Sequence, residues 1–157
     1  MHKTQKIKLS FFLLLILFYD FTLAGEGQDI NISNVWISEA PPTVSVLAAY
    51  AIIQNNTAET KTLSAVSSPI FSRVEIHLSK IIDDMVTMEK QSSLTIPAES
   101  STELSPGNYH LMLFDPKAPL TAGDKATLIF TFADGQSVSV QASVEKRRSK
   151  GHDHHHH

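Results

Sequence analysis

Cysteine is absent from all 157 residues, and that one absence removes several chemistries together. No disulfide can staple the fold, no thiolate can build a zinc or iron–sulfur site, and no thiol can act as a nucleophile. A blue-copper electron-transfer centre is excluded too, because it needs a cysteine thiolate beside its histidines. No thiol follows the N-terminal apolar run to accept a bacterial lipid anchor. Any metal chemistry therefore falls to other ligands.

Basic residues are scarce across the body of the chain. Between Gly25 and Glu145 six Lys or Arg stand against fourteen Asp or Glu, a net of −8, whereas "KRRSK" (Lys146–Lys150) adds +4 directly afterwards. An acidic body offers phosphates little to bind, so nucleic acid is not an expected partner. One run of large apolar residues stands out, "FFLLLILF" (Phe11–Phe18), preceded by Lys3, Lys6 and Lys8 and trailed by "TLA" (Thr22–Ala24). That run falls short of the roughly 20 residues a membrane span needs, and Asp20 keeps it from extending further. Residues 1–24 read as a cleaved secretory signal, which makes the mature protein an exported one that does not span the membrane.

Sustained helical periodicity is absent as well. Apolar and polar residues alternate instead in short runs: "VSVLAAYAII" (Val44–Ile53), "SRVEIHLS" (Ser72–Ser79), "MVTME" (Met85–Glu89), "YHLMLF" (Tyr109–Phe114), "ATLIFTF" (Ala126–Phe132) and "SVSVQASV" (Ser137–Val144). Turn signals separate them, among them "SPGN" (Ser105–Asn108) and "ADGQ" (Ala133–Gln136). Period-two patterning with such punctuation predicts an all-β sandwich of roughly seven to nine strands. Residues 25–145 form this single domain, and residues 146–157, without apolar periodicity, are expected to be a disordered basic and His-rich tail.

Histidine and methionine are few in the body, and their positions are informative. His77 and His110 are its only histidines; Met85, Met88 and Met112 its only methionines. Residues two apart on a strand share a face, so His110 and Met112 are neighbours. A hairpin joining "SRVEIHLS" to "MVTME" through Ile81–Asp84 would pair Lys80 with Met85 and hence His77 with Met88, whose Cβ atoms would then lie about 5 Å apart. Met85 would face away from Met88, in the core or at the rim. Two imidazoles with two thioethers suit the soft ion Cu(I), whereas zinc prefers thiolate or carboxylate to methionine. By pattern alone, the same residues also suit a core-filling methionine and a satisfied strand histidine.

The full spacing, His77, ten residues, Met88, twenty-one residues, His110, one residue, Met112, resembles the metal-binding motif of the periplasmic copper(I) chaperone family, often called PCuAC. Flanking segments resemble it too: "NVWISEAPP" (Asn34–Pro42), "AAYAIIQN" (Ala48–Asn55), "SSPIFSRVEIH" (Ser67–His77), "IPAESSTELSPGNYHLML" (Ile96–Leu113) and "LTAGDKATLIFTFADG" (Leu120–Gly135). The likeness spans about Asn31 to Val144. Two departures touch the hairpin rather than the ligands: Leu78 stands where relatives commonly carry an acidic or polar residue, and Asp83–Asp84 where they carry a glycine turn.

The resemblance implies a cupredoxin-like Greek-key β-sandwich holding one Cu(I) near its surface through His77, Met88, His110 and Met112. It further implies a monomeric periplasmic chaperone, not an enzyme, that supplies the dinuclear copper centre of cytochrome c oxidase with the help of thiol-containing assembly factors. Copper storage or resistance is the alternative. No "GxSxG" elbow is present and any hydrolytic triad would have to use His77 or His110, so catalytic residues are not expected. The tail "GHDHHHH" reads as a native extension or, alternatively, as a cloning remnant. As a native extension, His152 and His154 to His157 have imidazoles without sulfur, a set that suits Cu(II), and are expected to form a second, weaker copper site.

Overall fold

The computed structural model describes residues 29–146. The expected signal segment and, beyond Lys146, the expected tail lie outside the described residues. Ten strands and no helix are present among them: β1 (Ile30–Ser38), β2 (Val46–Asn55), β3 (Lys61–Ser67), β4 (Phe71–Ile82), β5 (Met85–Gln91), β6 (Leu94–Ile96), β7 (Ser100–Leu104), β8 (Tyr109–Pro116), β9 (Lys125–Phe132) and β10 (Ser137–Glu145). The patterning anticipated an all-β chain but fewer strands. β6 is only three residues long and β7, "SSTEL", is almost wholly polar, so neither carries an alternation that sequence reading can detect.

Hydrogen-bonded neighbours run in the order β5-β4-β8-β2-β1-β10-β9-β3-β6, with β7 against β2. β1 joins the two layers. It pairs antiparallel with β2 and, from Trp36 onward, parallel with β10. The register shifts between Ser33 and Trp36, where Asn34 takes φ 50; such a bulge bends a strand and raises its twist. The layers β5-β4-β8-β2-β1 and β10-β9-β3-β6 thereby close into a sandwich.

Alternation decides which side chains fill it. On β2 the buried set is Leu47, Ala49, Ala51 and Ile53, and on β9 it is Ala126, Leu128, Phe130 and Phe132. Ile76, Leu111 and Leu113 from the first layer join Leu63, Leu128 and Phe130 from the second in one core. Each such fully buried side chain contributes roughly 1.5–3 kcal/mol relative to exposure. Phe130→Ala, which also leaves a cavity, should cost about 3–5 kcal/mol.

The β4–β5 hairpin differs from its expected register. Asp83 and Asp84 alone form the turn, at φ 49 and φ 61, so Ile82 pairs with Met85 and Ser79 with Met88. A two-residue loop with both central φ angles positive matches the right-handed strand twist, and aspartate tolerates that conformation better than most residues. The slip is two residues, so every side chain keeps its face.

Candidate metal centre

β4 and β8 are adjacent antiparallel strands, and their register sets His77 directly opposite His110 and Glu75 opposite Met112. Between these positions Ile76 and Leu111 turn into the core. Period-two geometry then sends His77, His110, Glu75 and Met112 to the other face. The two imidazole rings lie 6.0 Å apart between centroids, tilted by 38°.

Each ring has one nitrogen engaged and one without a partner. His77 Nε2 lies 2.9 Å from Glu75 Oε2, and His110 Nδ1 lies 3.0 Å from the carbonyl oxygen of Asn108. A carboxylate and a carbonyl only accept, so a neutral His77 carries its proton on Nε2 and a neutral His110 on Nδ1. The remaining atoms, His77 Nδ1 and His110 Nε2, are buried with no hydrogen-bond partner. A buried polar atom left unpaired costs about 1–3 kcal/mol, and two on facing rings of neighbouring strands call for a ligand. Both hold lone pairs, as a metal needs.

The methionines flank this rung. Met112, partly buried, lies two residues beyond His110 on β8, opposite Ala48 of β2. Met88 lies opposite Ser79, two residues from His77 along β4, and is 58% exposed. Lys90, not Met88, is the residue that faces His77. The expected direct opposition of His77 and Met88 is therefore replaced by a diagonal one, about 7–8 Å between backbones and still within reach of a long thioether side chain. One methionine thus stands on each side of the histidine pair. Met85 is exposed at the hairpin rim.

Glu75 is the participant that sequence reading missed. Besides meeting His77, its Oε1 accepts from Lys90 Nζ at 2.9 Å and from Arg73 Nε at 3.1 Å. The hydrogen bonds from His77 and then Lys90 pull its carboxyl pKa down to about 2. Arg73 in turn lies 3.7 Å over the ring of Phe114. The signal available in "VEIH" was Glu75 two residues before His77, on the same strand face.

Among the described residues no group of three or more histidine, aspartate or glutamate side chains is placed to hold a metal ion. An all-nitrogen and oxygen site is not assembled there. Thioethers joined to the two free imidazole nitrogens would make a donor set suited to soft Cu(I).

Comparison with known proteins places the chain in a family and a fold. The family model described as "Putative lipoprotein LpqE-like" matches residues 30–144. "Putative lipoprotein Lxx21020" of Leifsonia xyli subsp. xyli (strain CTCB07) is 30% identical over 125 residues, covering 79% of this chain and 74% of that one. The uncharacterized protein RP573 of Rickettsia prowazekii (strain Madrid E) is 29% identical over 114 residues, 67% of this chain but 62% of its own length. Among solved structures, the copper-bound PCuAC domain from PmoF2 superposes with a TM-score of 0.65 at 21% identity, covering 76% of this chain and 94% of that domain. The solution structure of CuI-DR1885 from Deinococcus radiodurans gives 0.62 at 24%, covering 77% and 83%. At these identities the structures establish the cupredoxin-like PCuAC fold. The family model and the Leifsonia relative have lipoprotein in their names, yet this chain has no cysteine to carry a lipid, and no helix among its described residues is long and apolar enough to cross a membrane.

Proposed function

The chain belongs to the LpqE-like family, and from that premise we propose that it is an exported, periplasmic copper chaperone that binds one Cu(I) ion as cargo through His77, Met88, His110 and Met112. The observation that carries this reading is the pair of buried, unpartnered nitrogens, His77 Nδ1 and His110 Nε2, on facing rings flanked by methionines. The imidazoles supply two neutral nitrogen donors at fixed positions. The thioethers supply soft donors that bind without releasing a proton.

Exposure of Met88 suits a carrier. A recipient's ligand can approach the ion beside an exposed side chain before the histidines let go. Thiolates bind Cu(I) more strongly than thioethers do, so transfer runs downhill toward thiol-containing assembly factors and on to the dinuclear copper centre of cytochrome c oxidase. The chaperone acts as a monomer and turns over no substrate.

The test is a Cu(I) competition titration of the parent and of a Met88→Leu, Met112→Leu double variant. Leucine conserves volume, so the fold should hold within about 1.5 kcal/mol per site. The parent should take up one equivalent and the variant should bind far more weakly. Equal affinity in the two proteins would remove the methionines from the site.

A further inference from the structure

We infer that Glu75 is a positioning residue for copper binding: its carboxylate fixes the tautomer and orientation of His77 so that Nδ1 is presented as the donor. The inference rests on the copper reading above and adds to it which nitrogen of each ring binds. Glu75 Oε2 holds His77 Nε2 at 2.9 Å, while Oε1 is occupied by Lys90 Nζ at 2.9 Å and Arg73 Nε at 3.1 Å. With one oxygen committed to two cations, the other is left to the imidazole. The cations are themselves anchored, Lys90 on β5 across from His77 and Arg73 stacked 3.7 Å over Phe114 on β8. Side chains of β4 and β5 thus converge on one carboxylate, and β8 braces one of them.

His110 is oriented in the opposite sense. Its Nδ1–H donates to the Asn108 carbonyl at 3.0 Å, an oxygen that also accepts the backbone N–H of Ser79 at 3.2 Å. The free nitrogen there is Nε2. The two histidines accordingly enter the site through different atoms, His77 through Nδ1 and His110 through Nε2. Partners that hold the far nitrogen of a metal-ligating histidine set its tautomer and raise its basicity, and their loss typically lowers metal affinity about 10- to 100-fold.

Nitrogen-15 NMR of the copper-free parent reads both tautomers directly. His77 should appear as the Nε2–H form and His110 as the Nδ1–H form. In Glu75→Ala, His77 should become a mixture of tautomers while His110 keeps its own, and Cu(I) affinity should fall about 10- to 100-fold. Glu75→Gln retains an accepting oxygen and should restore the Nε2–H form with much of the affinity. A residue that only tied strands together would leave the tautomers alone. A parent with His77 protonated on Nδ1, or a Glu75→Ala protein that keeps the pure Nε2–H form or binds Cu(I) within twofold of the parent, would overturn the inference. The parent measurement needs no substitution, so it stands even if Glu75→Ala fails to fold. A parent that takes up no Cu(I) at all would sink the copper reading instead, with the tautomers still reporting on the hold of Glu75 over His77.

Discussion

Asn55 and His110 are the buried polar side chains among the described residues, at 0% and 4% exposure, and they are treated in opposite ways. Asn55 is satisfied throughout. Its Nδ2 donates to the carbonyls of Glu59, Ile96 and Pro97 at 2.7, 3.2 and 3.0 Å, and its Oδ1 accepts from the N–H and hydroxyl of Thr57 at 3.0 and 2.8 Å. It locks the end of β2 to its turn and to the end of β6. His110 satisfies one nitrogen and leaves the other bare. The first arrangement is what stability asks of a buried polar group; the second gives up stability to keep a donor atom free.

Between these two residues, the larger effect on stability should come from breaking the satisfied case. Asn55→Ala strips partners from the Ile96 carbonyl and from Thr57 together and should cost about 3 kcal/mol in urea unfolding, with Cu(I) stoichiometry unchanged in the protein that remains folded. His110→Leu should show the reverse. It replaces a half-satisfied ring with an apolar side chain, and Asn108 O keeps the Ser79 N–H, so stability should change by less than about 1 kcal/mol. Cu(I) affinity should drop by more than the roughly 100-fold expected from losing a supporting partner. A His110→Leu protein as destabilised as Asn55→Ala would erase the distinction between the two residues.

Much of this was legible in the chain. Alternation in "ATLIFTF" and "YHLMLF" announced strands whose inward residues are now Leu128, Phe130, Leu111 and Leu113. The i, i+2 rule placed His110 and Met112 on one face. What escaped were facts set by pairing between distant segments. The His77–His110 rung depends on β4 and β8 being neighbours across more than thirty residues of sequence, which no local pattern encodes. The β4–β5 register differs by two residues from its expected one because an Asp-Asp turn lacks the usual glycine signal, yet parity kept Met88 on the face of His77. Glu75 escaped notice because a glutamate in a strand looks like ordinary surface until its partners, Lys90 and Arg73, are seen around it.

The smallest effect should come from a pair that lies in the other layer and takes no part in the contrast. Lys61 Nζ of β3 meets Asp134 Oδ2 in the β9–β10 turn at 2.7 Å, with side-chain exposures of 16% and 42%. The Lys61 hydrogen bond, and after it the backbone N–H of Gln136, holds the Asp134 carboxyl below its ordinary value of 3.8. The bond to Asp134 likewise raises Lys61 above 10.5. A lowered carboxyl pKa stabilises the folded state above the unfolded value, and that stability is lost as pH falls through the folded one. A raised ammonium pKa stabilises below the unfolded value, and its share is lost as pH rises through the folded one. The stability gap between parent and Asp134→Asn should therefore be level from about pH 5 to 9 and close toward both extremes. Because the groups are partly exposed, salt should shrink it. Urea midpoints at several pH values, at low and high salt, measure this gap. A gap that widened in acid would assign the wrong ionisation to Asp134, and one accompanied by a change in Cu(I) affinity would show that the two layers do not act independently.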